Sequence, residues 1–248
     1  MTVPNSDPTF RNYTSKQAAT YAAHRLSYPA KLYETVINHH EKTGASCDAG
    51  EAMIGTAREM GGKTKIGKDI VWVIGSGEEF TGLEEVGEGT LDLITVAMAV
   101  HWFDMDKFWA QVAKALKPGG TLLPNRLSRD MYDNLPLPWN IPHPIPSSVL
   151  PESQFLKLDY DRDGILSDPE SDDFFFGGRE VTLKQAEKSL ETASMVTRWR
   201  EAHPEMVGTE KDVLKLHMEE LRKAMGGNES MRTGSGTTII LVKKALDT

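Results

Sequence analysis

The stretch LDLITVAMAVHWFDMDKFWAQVAKALKPGGTLL, Leu91 to Leu123, decides the fold. It opens on a nearly continuous apolar run rich in β-branched residues, the pattern of a strand buried on both faces. Asp104 then stands as a helix N-cap, and Phe108, Trp109, Val112 and Leu116 fall on one face of the helix that follows. Pro118, Gly119 and Gly120 stop that helix, and the chain resumes as a strand from Gly120 to Leu123. Strand, helix and strand in this order predict a parallel βαβ unit. Ligand sites of such units lie beyond the carboxyl ends of the strands, where loops meet helix N-termini.

On the N-terminal side, IVWVI at Ile70 to Ile74, bounded by Lys68-Asp69 and Gly75, reads as another buried strand. Glu51 to Met60 reads as a short helix. An Ala-rich helix opens at Ser15, and a further one runs from Pro29, a favoured first-turn residue, through Leu32, Val36 and Ile37 to His39-His40. Residues 1–15 are polar and form a loose arm. On the C-terminal side, seven of the 13 prolines lie between Pro124 and Pro151, denying helix interior and sheet ladder to that stretch. Residues 124–180 are therefore expected to be an irregular, Pro-rich and acidic cover. Thr182 with Gln185 forms a capping box for a helix reaching about His203, and Thr209 with Asp212 opens a helix ending at Gly226-Gly227. TTIILVKKA, Thr237 to Ala245, closes the chain as a strand. The expectation is a single α/β domain spanning residues 1–248.

Composition narrows the function. With 39% hydrophobic and 26% charged residues the chain can bury a core, and 28 Lys and Arg against 36 Asp and Glu give a net charge of −8. No basic patch is visible, so nucleic acid and anionic membrane are disfavoured partners. The longest nearly apolar stretch, Leu91 to Phe103, contains Asp92 and falls short of the roughly 20 residues that span a bilayer. A lone Cys47, and a start (MTVPNSDPTF) without the apolar core of a secretory signal, fit a reducing cytoplasmic compartment.

Several motifs tempt. Asp159-Tyr-Asp161-Arg-Asp163-Gly164 through Glu170 has the spacing of an EF-hand calcium loop. Pro169 and SDDFFFGG, however, stand where its exit helix should run, so an acidic, solvated turn between two strands is expected and no metal. Gly62-Lys63-Thr64 lacks the Gly five positions earlier that a phosphate-binding loop requires. The seven histidines have no partners at metal-ligand spacing. Gly75-Ser76-Gly77 is a short Gly loop after an apolar run, able to approach a ligand or merely to turn the chain.

The order of segments carries more than any one of them. TYAAHRLSYPAKLYETV, DAGEAM, IVWVIGSGEEF and then LDLITVAMAVHWFDMDKFWAQVAKALKPGG resemble the small-molecule group of class I S-adenosylmethionine-dependent methyltransferases, near the trans-aconitate methyltransferase-like proteins. TASMVTRWREAHPE resembles a substrate-side helix of that group. The resemblance implies S-adenosylmethionine as cofactor. Asp48 would then accept hydrogen bonds from the ribose hydroxyls, Met53 would lie near the adenine, and Ser76, Gly77 and Glu78 would form the loop at the adenine edge. Tyr21 and Arg25 match a helix closing over the cofactor, and Ala97 begins the loop between cofactor and substrate. His101 would be the catalytic proton acceptor, because its ordinary pKa suits neutral pH, and Trp102 and Trp199 would face the substrate. The plainer alternatives are that Trp102 and Trp109 are packing residues and that Asp48 is an N-cap.

One departure stands against the resemblance. The family sheet has order 3-2-1-4-5-7-6, and its first strand ends in a Gly-rich cofactor loop. Here the helix ending at His40 reaches Asp48 after EKTGASC alone, too short for a strand, that loop and a crossover. The expected fold class is thus α/β, a truncated Rossmann-like methyltransferase fold without the first two strands of the family sheet. Its exposed strand edges would favour a homo-oligomer. The expected function is S-adenosylmethionine-dependent methylation of a small organic acid or secondary metabolite. The alternative is a methyltransferase-derived protein without methyl transfer, acting as a cyclase of a reactive metabolite or as a partner subunit.

Overall fold

The computed structural model describes residues 14–24, 28–39, 51–63, 67–127, 132–168, 170 and 173–246. In chain order the elements are α1 (Ser15–His24), α2 (Ala30–His39), α3 (Glu51–Met60), β1 (Leu91–Ala97), α4 (Met105–Ala115), β2 (Leu116–Leu127) and β3 (Phe155–Tyr160). They continue with β4 (Phe176–Thr182), α5 (Leu183–Glu191), α6 (Ser194–Ala202), α7 (Val213–Ala224), β5 (Ser230–Ser235) and β6 (Thr237–Lys243).

The decisive stretch folds as a βαβ unit, but α4 ends at Ala115, and Leu116 with Pro118 to Gly120 belongs to β2 instead of to the helix and its stop. Asp104 caps α4 by accepting from the Lys107 N–H, and Phe108, Trp109, Val112 and Ala115 bury the face that their spacing defines. Gly119, at φ +73°, turns the chain, and a Cβ on Gly120 would stand 3.0 Å from the Leu91 carbonyl oxygen. Only a glycine lets β2 approach β1 there. The Lys244 ammonium donates to the Ala113 and Leu116 carbonyls at 2.6 and 2.8 Å, placing a cation on the C-terminal end of α4.

The main sheet has the order β1-β2-β6-β3, with β1 and β2 parallel and β6 antiparallel to both of its neighbours. Strand β6 is buried along nearly its whole length, and its alternation divides the core. Ile240 and Val242 join Leu122 and the buried face of α4 on one side of the sheet, while Ile239 and Leu241 join Leu123 and Leu32 of α2 on the other. Helices thus cover both faces, as a mixed α/β sheet requires. In order, these four strands correspond to the 4-5-7-6 half of the sheet that the resemblance implies. Among the described residues no strand lies beyond β1.

That edge explains a correction. Ile70 to Ile74 forms no strand; Val71 is 54% and Ile74 43% exposed, and the Trp72 carbonyl accepts from the Arg58 guanidinium at 2.8 Å. A β-branched run becomes a strand only where a ladder partner and an apolar cover are supplied. The segment read as irregular is also partly regular. It contributes β3 at the other edge, with Lys157 and Asp159 as edge charges, and the start of β4.

The helix predicted from Thr182 to about His203 is two helices. Both halves of the Thr182–Gln185 capping box are present, but the chain turns at Thr192, whose hydroxyl donates to the Ser189 carbonyl, and α6 restarts at Ser194. Helices α5, α6 and α7 pack around Leu183, Val196, Leu214 and Met218, next to a two-stranded β4-β5 ribbon. No described helix is long and apolar enough to cross a membrane.

Candidate active site

The carboxyl end of β1 is where the chain concentrates polar and aromatic chemistry. Ala97 ends the strand, and Met98 takes φ +54°, a left-handed conformation costing an L side chain roughly 1 kcal/mol or more. Val100, fully buried, then anchors a short 3-10 turn, Val100–Trp102, to the core. The turn holds His101 and Trp102 half-buried at the loop, with their rings 4.5 Å apart. Tyr132, from the cover segment and itself at φ +56°, brings its ring to 6.2 Å from that of His101. From α6, the Arg198 guanidinium lies over Trp102, 4.5 Å from the ring centroid.

The Ser76-Gly77-Glu78 loop closes against the start of α4. The Ser76 hydroxyl accepts from the Glu78 N–H, and the Glu78 carboxylate accepts from the Asp104 N–H at 2.8 Å, the anion-favouring end of that helix. A Cβ on Gly77 would lie 2.6 Å from Phe103 Cζ, so a glycine is required for this close approach. Ala97, His101 and Trp102 are therefore gathered on one loop, and Ser76 to Glu78 dock on the residues immediately after it.

Tyr21 lies in α1 and Met53 in α3, helices that pack against each other with Ala18 and Ile54 fully buried; their own side chains are outside the described residues. Arg25 and Asp48 are likewise outside them. Trp199 is engaged at its own helix end: its ring stacks on His203 at 4.6 Å and 21°, and its carbonyl accepts from the His203 imidazole. Trp109 packs in the core with Nε1 bonded to the Pro136 carbonyl, in line with a packing role.

Two neighbours of the loop escaped the sequence reading. Arg198 had a signal, since it lies two positions from Val196, which faces the α5–α7 core, and so points to the opposite side of α6. Tyr132 had none, because the proline-rich segment has no periodicity from which a direction could be read.

The acidic loop is built differently from a solvated turn. Asp161 is buried, and its carboxylate accepts from the Ser167 N–H at 2.8 Å and from the Phe175 N–H, holding β3 to the start of β4. Residues 173–175 are not helical and β4 follows from Phe176, and among the described residues no group of three His, Cys, Asp or Glu side chains is arranged to hold a metal ion. A cavity of about 320 Å³ opens here, lined by Lys31, Thr35, Tyr160, Asp161 and Asp173. It is not lined by His101 or Trp102.

Residues 29–123, from α2 into β2, match the family model described as a methyltransferase domain. It carries His101, Trp102 and the Ser76–Glu78 loop. Solved structures resembling the whole chain include a putative type II methyltransferase from Anaeromyxobacter dehalogenans, at 19% identity and a TM-score of 0.46, covering 90% of this chain and 97% of that one. Phosphoethanolamine N-methyltransferase 2 of Haemonchus contortus aligns at 12% identity and a TM-score of 0.43, covering 99% of this chain and 61% of that one. A putative methyltransferase from Bacillus halodurans aligns at 14% identity and a TM-score of 0.38, covering 94% of this chain and 100% of that one.

Proposed function

We propose that this chain is a methyltransferase that takes its methyl group from S-adenosylmethionine and delivers it to an oxygen of a small organic acid or secondary metabolite in the cytoplasm. The observation that carries the reading is the methyltransferase-domain match over residues 29–123 coinciding with the loop after β1, where His101 and Trp102 stand. That match is to a domain that transfers methyl groups, which does not favour the non-methylating alternative.

The described residues fit the cofactor at one rim. The small side chain of Ala97 is exposed at the end of β1, the end of a strand at which α/β sheets receive ligands. Ser76 would hold the adenine side of this rim, and Asp48, Met53, Tyr21 and Arg25 the remainder by resemblance. When bound, S-adenosylmethionine supplies an electrophilic methyl on a sulfonium. The chain's own contribution is mainly positioning. Trp102 offers a flat apolar wall, Arg198 a cation beside it, and the His101 imidazole takes the proton of a hydroxyl acceptor as it is methylated.

Titration of the purified protein with S-adenosylmethionine by calorimetry tests the reading. Saturable binding is expected, weakened at least tenfold in Asp48→Ala. Failure of the wild type to bind at any accessible concentration would remove the methyltransferase reading.

A further inference from the structure

We infer that Glu78 is a positioning residue: from the loop at residues 76–78 it completes the N-terminal cap of α4, and so fixes the loop after β1 that carries His101 and Trp102. What those two residues do rests on the methyltransferase reading. The tie itself stands on the geometry of two segments far apart in sequence.

A reciprocal cap needs two acceptors at a helix start. The N-cap side chain takes the N–H three residues on, and the residue at that third position takes the N–H of the N-cap. At α4 the first half is present, with Asp104 accepting from the Lys107 N–H at 3.3 Å. The second half cannot come from the same position, because Lys107 stands there and an ammonium has no acceptor. Glu78, 26 residues earlier, supplies it: its carboxylate accepts from the Asp104 N–H at 2.8 Å. An anion at that place also meets the positive end of the helix dipole.

The bond belongs to a wider seam. The Glu78 N–H donates to the Ser76 hydroxyl, and Gly77 admits the Phe103 ring to a distance that a side chain would forbid. Further along α4, the Gln111 side-chain oxygen accepts from the N–H and the hydroxyl of Thr81 at 2.8 and 2.6 Å. The loop after β1 is thereby held at both ends, at Ala97 by its pairing in the sheet and at Asp104 by Glu78. Between them Met98 sits at φ +54°, a conformation that persists only where its surroundings enforce it. Val100 is a buried anchor inside the loop, but it precedes His101 and Trp102. Their C-terminal side is left to Phe103 and Asp104, the two residues on which the 76–78 loop docks. Loss of the Glu78 acceptor should therefore displace the rings while the fold is kept.

The test uses the full chain as wild type, Glu78→Gln and Glu78→Ala, labelled with 5-fluorotryptophan and observed by fluorine NMR without ligand. Trp102→Phe and Trp139→Phe assign the two resonances that matter. The Trp102 resonance should shift or broaden in Glu78→Ala and keep its place in Glu78→Gln, whose amide oxygen accepts the same N–H. The Trp139 resonance should keep its place in both. Exchange of the Asp104 amide hydrogen should be at least tenfold faster in Glu78→Ala than in the other two proteins. Should Glu78→Ala fail to fold, Glu78→Asp, whose shorter arm withdraws the acceptor, replaces it in both measurements. Each protein is also titrated with S-adenosylhomocysteine. A cofactor ligand would change that affinity and leave the ligand-free Trp102 resonance in place; a merely stabilising cap would lower the urea midpoint and also leave it in place. An unmoved Trp102 resonance in Glu78→Ala, or an Asp104 amide that exchanges equally in wild type and Glu78→Ala, overturns the inference. A moved resonance in proteins that bind no S-adenosylhomocysteine would leave the tie standing and remove the methyltransferase reading.

Discussion

The indole N–H of Trp109 donates to the carbonyl of Pro136 at 2.9 Å, and this bond pins the proline-rich cover to the central helix. Trp109 has no exposed surface, and the cover returns the contact through Tyr132, Leu135, Ile141 and Leu150, which share its core cluster. A second tie is the His143 imidazole, 2.9 Å from the Asp106 carboxylate; its hydrogen bond holds the Asp106 carboxyl below the usual range against the opposing effect of burial. Trp109→Ala should cost about 3–5 kcal/mol by the cavity it leaves. Trp109→Phe should cost about 1–2 kcal/mol, because the ring volume is partly kept while the hydrogen bond is lost. Urea unfolding measures both, and near-equal midpoints for wild type and Trp109→Ala would show that the cover is not anchored there.

Acid should weaken the α5–α7 unit. Asp212, fully buried, caps α7 through the Leu214 N–H, accepts from the Gly208 N–H at 2.8 Å, and pairs with Arg200 at 2.9 Å. Burial raises its pKa, but Arg200 and the two N–H donors outweigh it and hold the carboxyl at about 2, against an ordinary 3.8. A depressed carboxylate contributes stability that is complete above its unfolded value and is lost as pH falls through the folded one. Roughly 2 kcal/mol should therefore disappear between about pH 4 and pH 2. Asp212→Asn should be destabilised at neutral pH and lack this component. Unfolding free energies of the two proteins should converge as pH falls from 5 to 2, and parallel curves would contradict the assignment.

For the loop from Asp159 to Glu170, the expected outcome is a structural penalty that calcium does not change. The Asp161 carboxylate already accepts two backbone N–H groups, and Asp159 is held by Thr238 and Arg162. Asp161→Ala should cost about 2–3 kcal/mol, since charge-assisted bonds are lost and buried N–H groups are left unmet. Millimolar calcium should leave the melting temperature of the wild type where it was. A calcium-dependent rise in the wild type that Asp161→Ala abolishes would reinstate the cation site, because a ligand bound only to the folded state must stabilise it.

The sequence made legible those elements whose own residues specify them. The cap at Asp104, the buried face Phe108, Trp109 and Val112, the box at Thr182 and Gln185, and the apolar run of β6 are local signals, and each is present. What escaped was written elsewhere in the chain. Strand β3 (FLKLDY) mixes charge with apolar residues because it is an edge, and β4 opens on Gly177 and Gly178 at positive φ, a signature that reads as a turn. Ile70 to Ile74 has the composition of a strand but is a member of neither described sheet. At the site, His101 and Trp102 were accessible from their position after β1, whereas the contact between Arg198 and Trp102 joins residues 96 positions apart and only the packing of α6 creates it.

The Ile70–Ile74 run supplies the sharpest test of the architecture. A buried strand at that place would lose several kcal/mol on receiving a charge, since an unpaired cation in an apolar core is among the costliest substitutions. Val71 and Ile74 instead have 54% and 43% of their surface in water, so lysine at either position can leave its charge in solvent and its stem along the surface. Val71→Lys and Ile74→Lys should each shift stability by no more than about 0.5 kcal/mol, the range of ordinary surface changes. Leu122→Lys, in β2 and fully buried, serves as the contrasting control and should prevent folding. Chemical unfolding of the three variants separates the alternatives, and a loss of 3 kcal/mol or more at Val71 or Ile74 would mean that this run is covered by a sheet after all.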